Sequence, residues 1–278
     1  MISYFNGNYL PVEEIKISPY DRGFMFADGV YEVCRTYKKK FFMIKDHLER
    51  LERNLQLLNI NFSAAEELES VGQELINLNN PEGEVTFYIQ ITRGTAYPRT
   101  HRYPDGMTPT VFATLNPVAE RKHELKKGIS VITTEDIRWR RCDIKSISIL
   151  ASVIAAKNAE LKNAEETLWI KNGRILEGTH TNFIGIKNQA VYTAPLSESI
   201  LPGITRKVIK EICRKSGIDF IEENIKLNEI ENFDEFAITG TTTEITPVIK
   251  INDTLIGNGV PGIMTRKLQD LFYKFTEE

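Results

Sequence analysis

The chain has 278 residues, with 35 Lys and Arg against 38 Asp and Glu, a formal net charge of −3, 41% hydrophobic residues and 26% charged ones. That balance excludes intrinsic disorder, gives no basic footprint for nucleic acid and leaves ample apolar material for a core. No stretch approaches the ~20 apolar residues that span a bilayer, no basic-then-apolar leader is visible, and three scattered cysteines (Cys34, Cys142, Cys213) fit a reducing cytoplasm rather than a disulfide framework.

At roughly 150 residues per domain the length suggests one large or two medium domains. Asn6-Gly7 between short aromatic runs predicts a hairpin. Residues 30–37 alternate as a strand, with Tyr31, Val33 and Arg35 on one face and Glu32 and Cys34 on the other. A helix is expected over 46–58, where Leu48, Leu51, Leu55 and Leu58 form one stripe. Ser63 and Glu66 have capping-box spacing and predict a second helix start. Val85, Phe87, Ile89 and Ile91 alternate as a half-buried strand, and 110–115 reads as another.

Residues 119–128 (AERKHELKKG) are charged and apolar-poor. They are expected to link a smaller N-terminal domain (1–118) to a larger C-terminal one (129–278), a solvated helix face being the alternative. Beyond them, strands are expected over 130–134, 167–170, 174–176, 181–186, 190–193, 236–239 and 245–251. Helices are expected over 147–161, 205–215 (ended by Gly217) and 264–275. Strands and helices do not alternate strictly, so two α+β domains are expected rather than a doubly wound sheet.

Some motifs resemble chemistry without its context. Gly257, Gly259 and Gly262 spell GxGxxG, but Pro261 lies inside it and only 16 residues follow, too few for the βαβ unit and distal acid of a dinucleotide site. A glycine turn before the last helix is the simpler reading. His47, His101, His123 and His180 show no metal-ligand spacing and no CxxC exists, so no metal site is expected. No GxSxG elbow is present, and Trp139 and Trp169 read as packing residues.

Another set of residues carries chemistry jointly. Lys145 stands at the mouth of an apolar segment, where desolvation lowers an amine's pKa. Glu177 ends a strand before a Gly-Thr turn. Residues 201–206 (LPGITR) run into a helix whose first N–H groups, at Ile204 and Thr205, are free for an anion. Residues 239–244 (TGTTTE) form a hydroxyl-rich turn. Arg50 lies about 120° from the centre of its helix's leucine stripe, so it is free to leave the core face. Taken singly, each is more often an ordinary surface or turn residue. Together they supply what pyridoxal phosphate requires: an imine-forming lysine, an anion for the ring nitrogen and a phosphate cup.

The order Arg50, Lys145, Glu177, Gly203-Ile204-Thr205, Thr241 resembles the fold-type IV pyridoxal-phosphate enzymes, the branched-chain and D-amino-acid aminotransferase family, over essentially the whole chain. The nearest likeness is to the D-amino-acid branch. It is carried by DRGFMFADGVYEV (21–33), TRGTAYPRTH (92–101), EDIRWRRCDIKS (135–146), LEGTHTNFIGI (176–186), ILPGITR (200–206) and TTTEITPVI (241–249).

The resemblance implies two α/β domains with the cofactor between them. It implies transamination of D-amino acids, with D-alanine and 2-oxoglutarate giving pyruvate and D-glutamate. A branched-chain L-aminotransferase or an aminodeoxychorismate lyase is the alternative. Lys145 would be the Schiff-base lysine and acid/base, and Glu177 the partner of the ring nitrogen. Arg50, Ile204, Thr205 and Thr241 would grip the phosphate, and Leu201 would pack on the ring. Tyr31, Arg99 and His101 would hold the substrate carboxylate, Arg99 and His101 being supplied across a homodimer interface. Two departures stand out: Gly240 replaces a frequent hydroxyl, and residues 94–99 run one residue longer than the pattern. Arg35, on Tyr31's strand face, is either a contact for the substrate side chain or a surface charge.

Overall fold

The computed structural model describes residues 1–63 and 65–277. They form two compact units, Met1–Val118 with Ile144–Ser148, and Ala119–Asp143 with Ile149–Glu278. The segment around Lys145 therefore belongs with the first unit, although it lies far along the chain.

The first unit contains β1 (Ile2–Phe5), β2 (Asn8–Pro11), α1 (Arg22–Phe26), β3 (Gly29–Tyr37), β4 (Lys40–Phe41), α2 (Ile44–Leu57), α3 (Ala65–Asn79), β5 (Val85–Thr92) and β6 (Thr110–Pro117). Asn6 and Gly7 take positive φ and close the expected hairpin. The sheet runs in the order β2-β1-β6-β5-β3-β4. Val85, Phe87, Ile89 and Ile91 are buried, as their alternation predicts, and Leu48, Leu51 and Leu55 of α2 lie in the same core. Each such leucine contributes about 2–5 kcal/mol against truncation to Ala. The capping-box reading of Ser63 turns on the Glu66 side chain, which lies outside the described residues.

Residues 144–148 run antiparallel to β3. The Tyr31 amide donates to the Lys145 carbonyl (3.0 Å), and the Ile147 amide to the Gly29 carbonyl (3.1 Å). Helix α1 was not expected, because five residues are too short to show a hydrophobic period.

The second unit contains α4 (Lys122–Lys127), β7 (Ile129–Glu135), α5 (Leu150–Leu161), β8 (Glu166–Lys171), β9 (Arg174–Gly178), β10 (Asn182–Lys187), β11 (Ala190–Thr193) and α6 (Ile204–Ser216). It continues with β12 (Phe220–Glu222), β13 (Ile225–Lys226), β14 (Glu235–Gly240), β15 (Glu244–Ile251), β16 (Thr254–Leu255) and α7 (Ile263–Glu277). Residues 119–128 thus include a short helix, whose last carbonyls, at Leu125 and Lys126, accept from Arg266.

The strands run β12-β11-β10-β14-β15-β7-β8-β9-β13, and β9 pairs again with β10 through Glu177 and Asn182. That extra pairing closes the path from β10 round to β9 on itself. Phe183, Phe236, Ile238, Leu168 and Val248 fill one core. Among the described residues no helix is long and apolar enough to cross a membrane.

Candidate active site

In the first unit, alternation along β3 points Val30, Glu32, Cys34 and Thr36 into the protein. An acid on that face needs partners. Helix α2 supplies them on a polar stripe beside its leucines. Arg50 donates to both carboxylate oxygens of Glu32, Nε to Oε2 at 2.9 Å and Nη2 to Oε1 at 2.7 Å. His47 Nδ1 lies 3.1 Å from Oε1. Glu32 is fully buried and Arg50 is 8% exposed. Burial alone would raise the Glu32 carboxyl, but the Arg50 and His47 charges outweigh it and hold the pKa far below the usual carboxylate range. Burial lowers His47, helped by the nearby Arg50 and Lys145 cations and opposed by Glu32. Arg50, singled out as a phosphate contact, is therefore oriented from behind by an acid that the sequence reading left unassigned.

Lys145 and Tyr31 meet in the same unit, with Nζ 4.1 Å from the centre of the Tyr31 ring. The backbone bonds between residues 144–148 and β3 fix this pairing. Arg99 and His101 lie exposed on the 93–109 connection, both against Phe26. The Arg99 guanidinium carbon is 4.5 Å from the Phe26 ring centre, and the His101 ring centre is 5.5 Å from it. The Arg35 guanidinium lies over Tyr37 at 4.4 Å.

In the second unit the organising residue is Asn182. It pairs with Glu177 across to β9 and with Thr239 across to β14, so three polar residues lie in one row at the closing seam. Its side-chain amide donates to Glu177 Oε2 (3.1 Å) and to the Leu201 carbonyl (2.9 Å). The Leu201 amide also donates to Glu177 Oε2 (3.0 Å). Arg138, itself paired with Asp136, donates to Glu177 Oε1 (2.5 Å). Glu177 is 4% exposed. Burial pushes its carboxyl up to about 7, against the pull of Arg138 and the Leu201 amide.

Leu201 leads through Gly203 into α6. A Cβ on Gly203 would lie 2.0 Å from Asn182 Oδ1, so only glycine lets this segment approach the seam. Among the described residues no side chain caps α6, and Ile204 and Thr205 present its first amides. Thr241 lies on the turn joining β14 to β15. Among the described residues, the hydroxyls of Thr239 and Thr243 on either side of it are buried without a hydrogen-bond partner. A Cβ on Gly240 would lie 2.8 Å from Thr243 Oγ1, so the missing hydroxyl at 240 accompanies a crowded turn. A free helix N-terminus beside partnerless hydroxyls fits a phosphate group.

Asn182, Arg138 and Glu32 are the residues that sequence reasoning missed. Their signal was faint: an amide in an apolar strand, an arginine in an Arg-rich run, and an acid on the buried parity of β3. Trp169 is fully buried, but Trp139 is 45% exposed and so is not a simple packing residue. The three cysteines are buried, and burial raises the Cys142 and Cys213 thiols to about 11, as inert packing groups require. Around Gly257–Gly262 the dinucleotide reading fails on geometry. The Glu235 carboxylate accepts from the Met264 (2.8 Å) and Thr265 (2.7 Å) amides and so occupies the helix N-terminus that a phosphate would need.

The family model for amino-transferase class IV matches residues 29–251. A D-alanine aminotransferase of Staphylococcus haemolyticus is 39% identical over 276 residues, covering 99% of this chain and 97% of its own. One from Bacillus licheniformis is 38% identical over 266 residues, covering 95% and 93%. The crystal structure of the Escherichia coli branched-chain amino acid aminotransferase superposes with a TM-score of 0.92 at 24% identity, covering 99% of this chain and 94% of that one. With a family model over most of its length and full-length relatives well above 30% identity, this chain belongs to the class IV aminotransferases.

Proposed function

We propose that this enzyme moves an amino group between D-alanine and 2-oxoglutarate, giving pyruvate and D-glutamate. The observation that carries this reading is the near-complete coverage of the D-alanine aminotransferases at 38–39% identity. Pyridoxal 5′-phosphate is the cofactor, and it supplies an electron-withdrawing ring that acidifies the α-carbon of an amino acid joined to it.

Lys145 is the residue to which the cofactor attaches, and its Nζ takes up and returns the α-proton. Backbone bonds to β3 fix its main chain beside Tyr31, and its amine lies 4.1 Å from the centre of that ring. Glu177 would meet the ring nitrogen when the cofactor is bound. A carboxyl raised to about 7 is matched to sharing a proton with such a nitrogen, and Arg138, Asn182 and the Leu201 amide keep it in one orientation. Ile204, Thr205, Thr241 and Arg50 would hold the phosphate, and Leu201 would contact the ring. The partnerless hydroxyls of Thr239 and Thr243 support this placement.

Tyr31, Arg99 and His101 hold the substrate α-carboxylate, a guanidinium and two hydrogen-bonding rings being suited to it. Arg99 and His101 act across a homodimer interface. An apolar stripe on α5 supports such a dimer: Leu150, Val153, Ile154 and Leu161 are 48–71% exposed. Three unbridged cysteines suit the cytoplasm.

The test is a panel of D- and L-amino acids with chiral analysis of the products. Turnover of D-alanine, D-glutamate and close relatives is expected, and activity confined to L-substrates refutes the D-specific reading. Lys145→Ala should lose turnover by orders of magnitude. Borohydride should fix the cofactor on the peptide containing residue 145, and a label elsewhere would overturn that assignment.

A further inference from the structure

The 93–109 connection between β5 and β6 carries Arg99 and His101 without regular structure of its own. Loops of this length are usually mobile, which suits a carboxylate trap poorly. Here the short helix α1 braces it. At the neck, Asp21 caps α1 through the Gly23 amide (2.8 Å) and accepts from the Thr92 (3.0 Å) and Thr110 (2.7 Å) hydroxyls, joining both ends of the loop. The Arg22 amide donates to the Gly94 carbonyl (2.9 Å), and the Ala96 amide to the Tyr20 carbonyl (3.2 Å).

The decisive contacts come from the Arg22 side chain, which is 5% exposed. Nη1 donates to the Thr100 carbonyl at 2.8 Å and Nη2 to the His101 carbonyl at 3.2 Å. Those carbonyls belong to the two peptide units flanking the His101 α-carbon. Fixing both fixes the backbone angles of His101 and hence the direction in which its side chain leaves the chain. Arg22 Nε is held in turn by Asp28 (2.8 Å), which also takes Nε and Nη2 of Arg93 (2.8 and 2.9 Å). Arg93 donates on to the carbonyls of Leu58 and Asn59 at the end of α2. Phe26, one turn beyond Arg22, lies under both the Arg22 and the Arg99 guanidiniums (4.7 and 4.5 Å) and beside His101. The chain of contacts thus runs from the end of α2 through Arg93, Asp28 and Arg22 to the loop.

We propose that Arg22 is a positioning residue for substrate carboxylate recognition, setting the Arg99–His101 pair by clamping the two carbonyls around His101. This rests on the reading of Arg99 and His101 as the carboxylate trap. Its role needs arginine's planar fork. A lysine at 22 keeps the charge beside Asp28 but cannot reach Asp28 and two carbonyls in fixed directions.

The test uses the cofactor-loaded enzyme. Arg22→Ala should raise the KM for D-alanine by about tenfold or more, with kcat changed only a few-fold and the cofactor absorbance unaltered. Arg22→Lys, which preserves the ion pair if the alanine variant folds poorly, should show the same split more weakly. In a His101→Ala background, Arg22→Ala should add little, because Arg22 acts through His101. Three results overturn the proposal. The first is an Arg22→Lys enzyme with the parent KM. The second is a fall in kcat or cofactor retention without a change in KM. The third is full additivity with His101→Ala. If Arg99→Ala itself leaves KM unchanged, the carboxylate trap reading has failed and the proposal falls with it. A raised KM in Arg99→Ala beside a parent-like Arg22→Lys refutes the clamp alone.

Discussion

Glu32→Gln tests the buried network behind Arg50 most directly. The change is nearly isosteric and removes one charge from a site with no solvent to replace it. Glu32 receives two charge-assisted bonds from Arg50, at 2.7 and 2.9 Å, and a contact from His47 at 3.1 Å. Each charge-assisted bond is worth about 1.5–3 kcal/mol, and breaking a buried pair by removing one partner costs about 3–5 kcal/mol. The variant should therefore be about 3–5 kcal/mol less stable at pH 7. The sign of the pH dependence follows from the depressed pKa. Ionised Glu32 stabilises the fold above its ordinary value of 4.5, and that contribution fades as pH falls below it. The glutamine variant has no such contribution to lose, so the two stabilities should converge in acid. Glu32 holds the His47 pKa up against burial, so its loss would add an acid-side loss to the variant alone; parent and variant are therefore compared in a His47→Asn background.

Urea unfolding followed by circular dichroism, from pH 4 to pH 8 and at matched cofactor occupancy, reads it. A difference below about 1 kcal/mol at pH 7, or one that does not shrink between pH 6 and pH 4, refutes the argument. Cofactor retention on dilution should fall in the same variant, because Arg50 loses the acid that aims it.

Glu177 has the opposite sign. Its carboxyl is raised from 4.5 to about 7, so in cofactor-free protein the stability tied to its neutral form is present below 4.5 and lost as pH rises through 7. Cofactor-free Glu177→Gln should gain on the parent between pH 5 and pH 8, by at most about 1.4 kcal/mol per pH unit, as read by urea midpoints. The cofactor-loaded variant should lose most of its turnover. Glu235→Ala should cost about 1–2 kcal/mol in thermal unfolding by uncapping α7, with turnover unchanged. Lost turnover there would mean that the α7 terminus touches the chemistry.

What was legible in the sequence was what repeats. The leucine stripe of α2 and the alternation of β5 announce themselves because a core face recurs every 3.6 or 2 residues. Glu32 follows the same alternation, yet an acid on the inward parity looks like an error until Arg50 and His47 arrive from a helix. Helix α1 has no period to read, and the clamp by Arg22 acts on carbonyls 78 and 79 residues away. Lys145 was legible as a residue but not as part of the first unit, since the strand pairing of residues 144–148 with β3 joins distant segments.

The limit shows most clearly at two helix starts that read almost alike. Residues 202–204 and 261–263 are both Pro-Gly-Ile, and each opens a helix with Thr and Arg close behind. In both, the glycine permits a side chain to approach to 2.0 Å of where its Cβ would stand. At Gly262 that side chain is Glu235, whose carboxylate takes two helix amides and fills the anion site. At Gly203 it is Asn182, a neutral amide that turns its own donor toward Glu177 and Leu201 and leaves α6 without a cap. The difference between a sealed terminus and one open to phosphate thus rests on which residue faces the glycine from another strand. Asn182→Asp should convert the second into something like the first. It places a carboxylate beside the α6 terminus and beside Glu177, and so should weaken cofactor binding by about tenfold or more, from a helix-terminus interaction of roughly 1–2 kcal/mol. Equilibrium dialysis of the cofactor against the variant, with far-UV dichroism to show that it is folded, measures this. An unchanged affinity would mean that the α6 terminus is not where the phosphate binds.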